Sequence, residues 1–212
     1  MTTSSTTDTG TTDTGRVDGR RLRRQQGRIA VVDALIDLVL EGHAPPTADE
    51  IAARAGVSTA SVFRYFDSLD DLRREGIQRY LKRYDHLIDV ADIGEHDLTR
   101  RVATLVDARQ RYYETIDPMA RLARAQAFTV PELDEALGRV RATLTDQLSE
   151  HFAAELVGLR AAPRRELVAL VAALTSHESW EQLHRQGLDR AAVGRALRAG
   201  VERLLAPTAV KR

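Results

Sequence analysis

The chain of 212 residues contains no cysteine. A disulfide scaffold, a thiolate metal site and a cysteine nucleophile are therefore excluded. It also lacks a net charge, because 31 Lys and Arg balance 31 Asp and Glu. Nucleic-acid binders usually carry a basic excess, so the total points away from that partner and only a local excess could restore it. No apolar run approaches the ~20 residues of a membrane span, and the polar N-terminus has no signal-peptide core. The expected location is the cytoplasm, with no membrane partner. Period-two alternation is missing, which argues against strands. There is no Gly-rich phosphate loop and no Ser-His elbow, and paired carboxylates such as Asp70-Asp71 are explained by helix capping. An enzyme and a bound cofactor are therefore not expected.

What is present is helix-forming. Hydrophobic residues make up 43% and charged residues 29%, a globular balance. Residues 1–15 are Thr, Ser, Asp and Gly, too polar to offset the entropy of ordering, and read as a disordered tail. From Arg16 to Arg28 six arginines face one acid, Asp18, a local excess of about five charges. This basic arm, with Arg20, Arg21, Arg23 and Arg24, can follow a DNA backbone or enter a minor groove. Alternatively it is a solvated tail. A first helix is expected to start between Arg20 and Gly27 and end at Glu41, with Ile29, Val32, Leu35, Ile36 and Val39 at helical spacing. Further helices are expected at 48–55, 59–66, 69–91, 97–115, 118–128, 131–158, 163–185 and 189–205, about nine in total. Gly94, Pro118, Pro131, Pro163 and Gly187 mark the breaks. The fold class is all-α: a three-helix N-terminal domain within 16–70, then a larger helical domain over 71–212.

The stretch Thr47–Leu72 is the most specific. Thr47-Ala-Asp-Glu50 forms a capping box. Gly56 suits a left-handed helix stop, Val57 the corner, and Ser58 the next cap. Val62 and Phe66 lie four apart and face the core. Thr59, Ser61, Phe63, Arg64 and Tyr65, with Thr47 and Ala48 at the preceding helix start, are the DNA-facing candidates. The competing reading is an ordinary corner between two helices. Ile51-Ala-Ala-Arg-Ala-Gly-Val-Ser58 and Phe63-Arg-Tyr-Phe66 carry a resemblance to the DNA-binding domain of the TetR family of bacterial transcriptional regulators. The resemblance implies a helix-turn-helix, a homodimer, a palindromic DNA operator and a divergent C-terminal domain for a small-molecule effector. Phe63 and Leu69 depart from the Tyr and Lys frequent at those positions, both of them phosphate donors. The arginine arm can replace them.

The resemblance also implies a dimer interface through helices at about 163–185 and 189–205, where Ala192, Ala196, Ala199 and Gly200 permit close approach. An effector site is expected between 97 and 185. Tyr112, Tyr113, Met119, Phe128, Phe152 and Trp180 are the apolar candidates, and His151, His177 and His184 the polar handles. Each is alternatively a core or surface residue. His177, Glu181 and His184 have a spacing that could hold a metal, but a solvated amphipathic face is the plainer reading, and no metal is expected. The function implied is a DNA-binding regulator, a repressor released by a ligand. The alternative is a DNA-binding regulator without a small-molecule effector, acting through another protein or as an activator.

Overall fold

The structure, a computed structural model, describes residues 14–43 and 45–206, with side chains from residue 19 onward except Arg20. The expected disordered tail thus lies, up to residue 13, outside the described residues, as does the side chain of Arg20. The described residues form helices and no strand. None of these helices is long and apolar enough to cross a membrane. They divide into two compact units, with the boundary between Gly76 and Ile77.

In the first unit, α1 (Thr14–Leu40) begins earlier than the sequence predicts. The arginine arm is its first turns, since Arg, Leu and Gln all favour helix. The buried stripe is Val31, Val32, Ala34, Leu35, Leu38 and Val39, while Ile29 is exposed and Ile36 half-buried. α2 (Ala48–Ala55) opens with the expected capping box. The Glu50 N–H donates to the Thr47 hydroxyl at 3.3 Å, and the Thr47 N–H to the Glu50 carboxylate at 2.8 Å. That backbone donor, then the Thr47 hydroxyl and His43, hold the Glu50 carboxyl down at about 2. Gly56 ends α2 at φ 66°, where a side chain would be strained. Ser58 caps α3 (Thr59–Tyr65), and the buried Val62 and Phe66 anchor it. α4 (Leu69–Arg83) follows and runs on across the unit boundary.

In the second unit, a short 3-10 turn at Asp85–Ile88 precedes α5 (Leu98–Ala127). Helix 69–91 therefore stops at Arg83. The two helices expected at 97–115 and 118–128 are one, with Pro118 inside it. An interior proline leaves the Glu114 carbonyl without its helical donor and costs about 3 kcal/mol. Burial of Ile116, Met119, Ala120, Leu122 and Ala123 on both sides of it holds the helix together. α6 (Pro131–His151) and the short α7 (Ala153–Leu156) replace the expected 131–158 helix. The expected 163–185 helix is also two: α8 (Ala161–Leu174) and α9 (His177–Arg185). Thr175 turns its hydroxyl back onto the Val171 carbonyl at 2.7 Å, and Ser176 caps α9 by accepting the Ser179 N–H at 3.1 Å. α10 (Arg190–Leu205) packs on α5 and α8 through Val193, Leu197 and Val201. Gly200 lets it approach α8 closely: a Cβ there would stand 2.8 Å from Leu174.

Candidate functional site

The first candidate surface is the outer face of α3. Because Val62 and Phe66 face inward, Phe63 and Arg64 face solvent, with Phe63 50% exposed. Thr59 is half-buried, and its hydroxyl donates to Asp49 of α2 at 2.7 Å. Ser61 is half-buried and accepts from Arg64 at 3.1 Å. Thr47 is exposed and Ala48 half-buried at the start of α2. Tyr65 is half-buried and reaches across to α1, where Gly27 makes room for it. A Cβ on Gly27 would stand 2.4 Å from the Tyr65 hydroxyl.

Two arginines of α1 finish α3. The last carbonyls of a helix have no intrahelical donor. Arg28 donates to the Tyr65 carbonyl, and Arg24 reaches the Arg64 carbonyl at 3.5 Å. Arg28 also pairs with Glu75 and lies 4.2 Å from the centre of the Phe66 ring. It therefore positions α3, a role the sequence reading missed. Its spacing of four from Arg24 puts both on one face of α1 and was the available signal. Other arginines of this unit hold carboxylates: Arg54 with Glu41, Arg73 with Asp70, and Arg74 with Asp71. Among the described side chains Arg21, Arg23, Arg24 and Arg64 have no carboxylate partner, and all four are exposed. Among the described side chains, positive charge at residues 21–24 of α1 and on α3 thus has no carboxylate against it.

The second candidate is a partly open cavity of about 260 Å³ bounded by α5, α6 and the α8–α9 junction. Leu137, Val140, Leu144 and Leu148 of α6 make an apolar wall. Tyr112, Tyr113 and His177 line it, as does Arg109. The Tyr113 hydroxyl donates to the Thr175 carbonyl at 2.7 Å and ties the helix break to α5. Burial raises the Tyr112 phenol to about 12 and lifts that of Tyr113 further. Tyr112 Oη has no hydrogen-bond partner among the described residues.

Arg109 is 1% exposed. Its guanidinium donates to the Ile88 carbonyl at 3.3 Å, the Gln147 side-chain oxygen at 3.0 Å and the Leu144 carbonyl at 3.1 Å. All three acceptors are neutral. Burial pushes its pKa down, yet an arginine keeps its proton. The sequence reading passed over it as one charge among many. Its place four after Leu105 and three before Tyr112, on the buried stripe of α5, was the signal.

The rim of the cavity is different. His177 accepts from Arg124 on Nδ1 at 2.9 Å and donates from Nε2 to Asp117 at 3.0 Å. Arg124 also pairs with Glu181 and lies 3.7 Å from Glu178, which Arg141 holds at 3.1 Å. Burial works against the Asp117 charge, but the His177 hydrogen bond and the Arg121 and Arg124 charges outweigh it and lower its pKa. Burial likewise opposes Glu178 and Glu181, and hydrogen bonds and arginine charges again win. With both nitrogens of His177 engaged and Glu181 held by Arg124 and Arg185, this cluster is an ion-pair network. No group among the described residues is arranged to hold a metal ion.

The other ligand candidates lie elsewhere. Trp180 stacks on His177, ring centres 5.5 Å apart, behind the cavity wall. Met119 is fully buried in the core. Phe128 is 93% exposed at the end of α5. Phe152 is buried beside His151. His151 accepts the Gly94 N–H at 3.2 Å and donates to the Arg101 carbonyl at 2.9 Å. A shallower recess of about 690 Å³ lies between α4's last turns, the 3-10 turn and α6, and shares Tyr112 with the cavity.

Residues 39–75 match the family model described as bacterial regulatory proteins, tetR family. The fold resembles a transcriptional regulator from Rhodococcus sp. RHA1 (TM-score 0.60, 21% identity, 84% of this chain and 95% of that one). It also resembles the multidrug binding protein EbrR, solved with imidazole (TM-score 0.53, 21% identity, 87% and 98%). No curated protein sequence matches the chain.

Proposed function

We propose that the N-terminal unit, whose residues 39–75 match the family model described as bacterial regulatory proteins, tetR family, is a DNA-binding domain, and that the chain is a repressor that binds a palindromic operator as a dimer and is released by a small ligand. The observation that carries the DNA-binding part is α3. It is anchored by Val62 and Phe66, and it presents Phe63 and a carboxylate-free Arg64 to solvent beside the unpaired arginines of α1. Arginine can fork onto guanine, a phenylalanine ring can meet a thymine methyl, and the α1 arginines can neutralise phosphates.

A helix-turn-helix dimer reads half-sites about one helical turn apart, so spacing between its two copies decides affinity. Leu170 of α8 stands 56% exposed, and exposed apolar surface there supports pairing of two copies through α8 and α10. The cavity supplies a place for an effector. α4 is continuous across Gly76–Ile77, so it is the covalent route by which a change around the cavity reaches the DNA-binding unit. Release requires the ligand to favour the state whose half-site spacing is wrong.

Selection from random duplexes tests this reading. The expected result is a two-fold symmetric site bound by two chains, with Arg64→Ala weakening it about 5- to 150-fold, the equivalent of one lost base contact. Enrichment of no sequence, or equal binding by Arg64→Ala with unchanged helix content, rejects α3 as the reading face.

A further inference from the structure

Arg109 is the key to what the cavity holds. Among the buried arginines described, Arg101 has Glu155 as counter-ion and Arg109 has none. A buried charge without a partner is costly, and proteins retain one where something completes it. Three of the five guanidinium N–H groups are engaged, all by neutral oxygens. Tyr112, whose hydroxyl has no hydrogen-bond partner among the described residues, lines the same cavity and lies within electrostatic range of both Arg109 and Asp85. The other lining cations are already balanced. Arg141 is held by Glu178, and Arg124 by Glu181 and Glu178. Glu178 is the lining carboxylate, and both of these arginines face it.

We propose that the cavity binds a small anionic amphiphile, its carboxylate on Arg109 and Tyr112 and its apolar body against Leu137, Val140, Leu144 and Leu148. The proposal rests on the ligand-responsive reading above and names the ligand class. A cationic ligand would meet Arg109 with no carboxylate free to receive it. A neutral ligand would leave the buried charge uncompensated. Size follows from volume: a cavity of about 150 Å³ holds benzene, so 260 Å³ holds about ten non-hydrogen atoms. Medium-chain and aromatic carboxylates are of that size.

The test uses three probes of equal chain length, octanoate, 1-octanol and octylammonium, titrated calorimetrically into the full chain without DNA. Octanoate is expected to bind at least about tenfold more tightly than either of the others, one charge-assisted hydrogen bond being worth about that factor. Arg109→Gln should remove this preference, Arg109→Lys should keep part of it, and Tyr112→Phe should weaken octanoate a few-fold while leaving 1-octanol unchanged. The wild-type series stands even if a variant does not fold. Equal or tighter binding of 1-octanol or octylammonium overturns the proposal, and so does absence of binding by all three. DNA release is read separately. If octanoate binds with the expected preference but leaves the DNA complex intact, release by ligand fails and the anion site stands.

Discussion

The two units use arginine in opposite ways. In the N-terminal unit Arg21, Arg23, Arg24 and Arg64 are exposed and have no carboxylate partner among the described side chains. In the helical unit the buried or half-buried ones are locked, as Arg101 is on Glu155 and Arg124 on Glu181. Arg109 alone is buried without a carboxylate among the described residues. Charge left free in water can meet a polyanion, at the cost only of releasing counterions. Charge left free in a core has room only for a small one.

That contrast is open to a direct break. Glu155→Ala strands the Arg101 guanidinium, whose side chain is 6% exposed, and should lower stability by about 3–5 kcal/mol. Arg109→Met removes an already uncompensated charge and three bonds to neutral oxygens, and should cost less, about 1–3 kcal/mol. Urea denaturation of the two variants gives the order. A larger loss for Arg109→Met means that Arg109 is held for the fold and not kept for a ligand.

The same contrast explains what could be read in advance. The α2–α3 corner was legible because its determinants are local: Thr47 with Glu50, Gly56 and Ser58 act within four residues of themselves. The breaks in the helical unit depend on distant partners. Pro118 looks like a helix start, but the core around Met119 and Ala120 holds the helix through it. Thr175-Ser176 looks like helix interior, yet the two hydroxyls end one helix and start the next, and Tyr113 fixes that junction from 62 residues away. Within the candidate cavity, aromatic content pointed to Tyr112 and Tyr113 but equally to Phe128, which is exposed. Composition cannot tell which side of α5 closes over a void.

On the free side, Arg21, Arg23 and Arg24 changed together to Gln should reduce the slope of log affinity against log salt by about 2 to 3, close to one unit per released counterion. Filter binding across a salt series reads this. An unchanged slope makes the start of α1 a solvated helix that DNA does not touch. Arg28 is the internal control, since it holds Glu75 and the Tyr65 carbonyl. Arg28→Gln should lower the melting temperature as well as DNA affinity.

A smaller effect separates the buried pairs from their neighbour His151. Burial, against the Arg101 backbone hydrogen bond, together with the Arg101 and Arg109 charges, holds His151 below its ordinary value of 6.5. The unfolded chain therefore takes the proton first. Stability is complete above pH 6.5 and declines as pH falls toward the lower folded value. Asp117, Glu178 and Glu181 are also depressed, from ordinary values of 3.8 and 4.5, so their contribution is lost only at lower pH. Melting temperature against pH should show two separate declines, and His151→Gln should remove the one nearer neutrality. A single decline below pH 4.5 in the wild type would show that His151 does not titrate with folding.

The weakest expected effect is the sharpest check on the role of burial. Glu181 takes Arg124, 22% exposed, on one oxygen, and Arg185, 67% exposed, on the other at 2.7 Å. The two arginines share this carboxylate, which Arg121 also approaches at 4.0 Å, and differ in solvent access and in Arg124's further contacts with His177 and Glu178. Exposed pairs gain little, because water screens the attraction and ordering two long side chains opposes it. Arg185→Gln should therefore change stability by less than about 0.5 kcal/mol, whereas Arg124→Gln also removes the donor to His177 and the weaker of the two arginine contacts on Glu178. Equal losses for the two, measured in the same urea titration, would mean that burial does not set the value of an ion pair in this unit. The case for reading Arg109 as a ligand's counter-charge would then lose its premise.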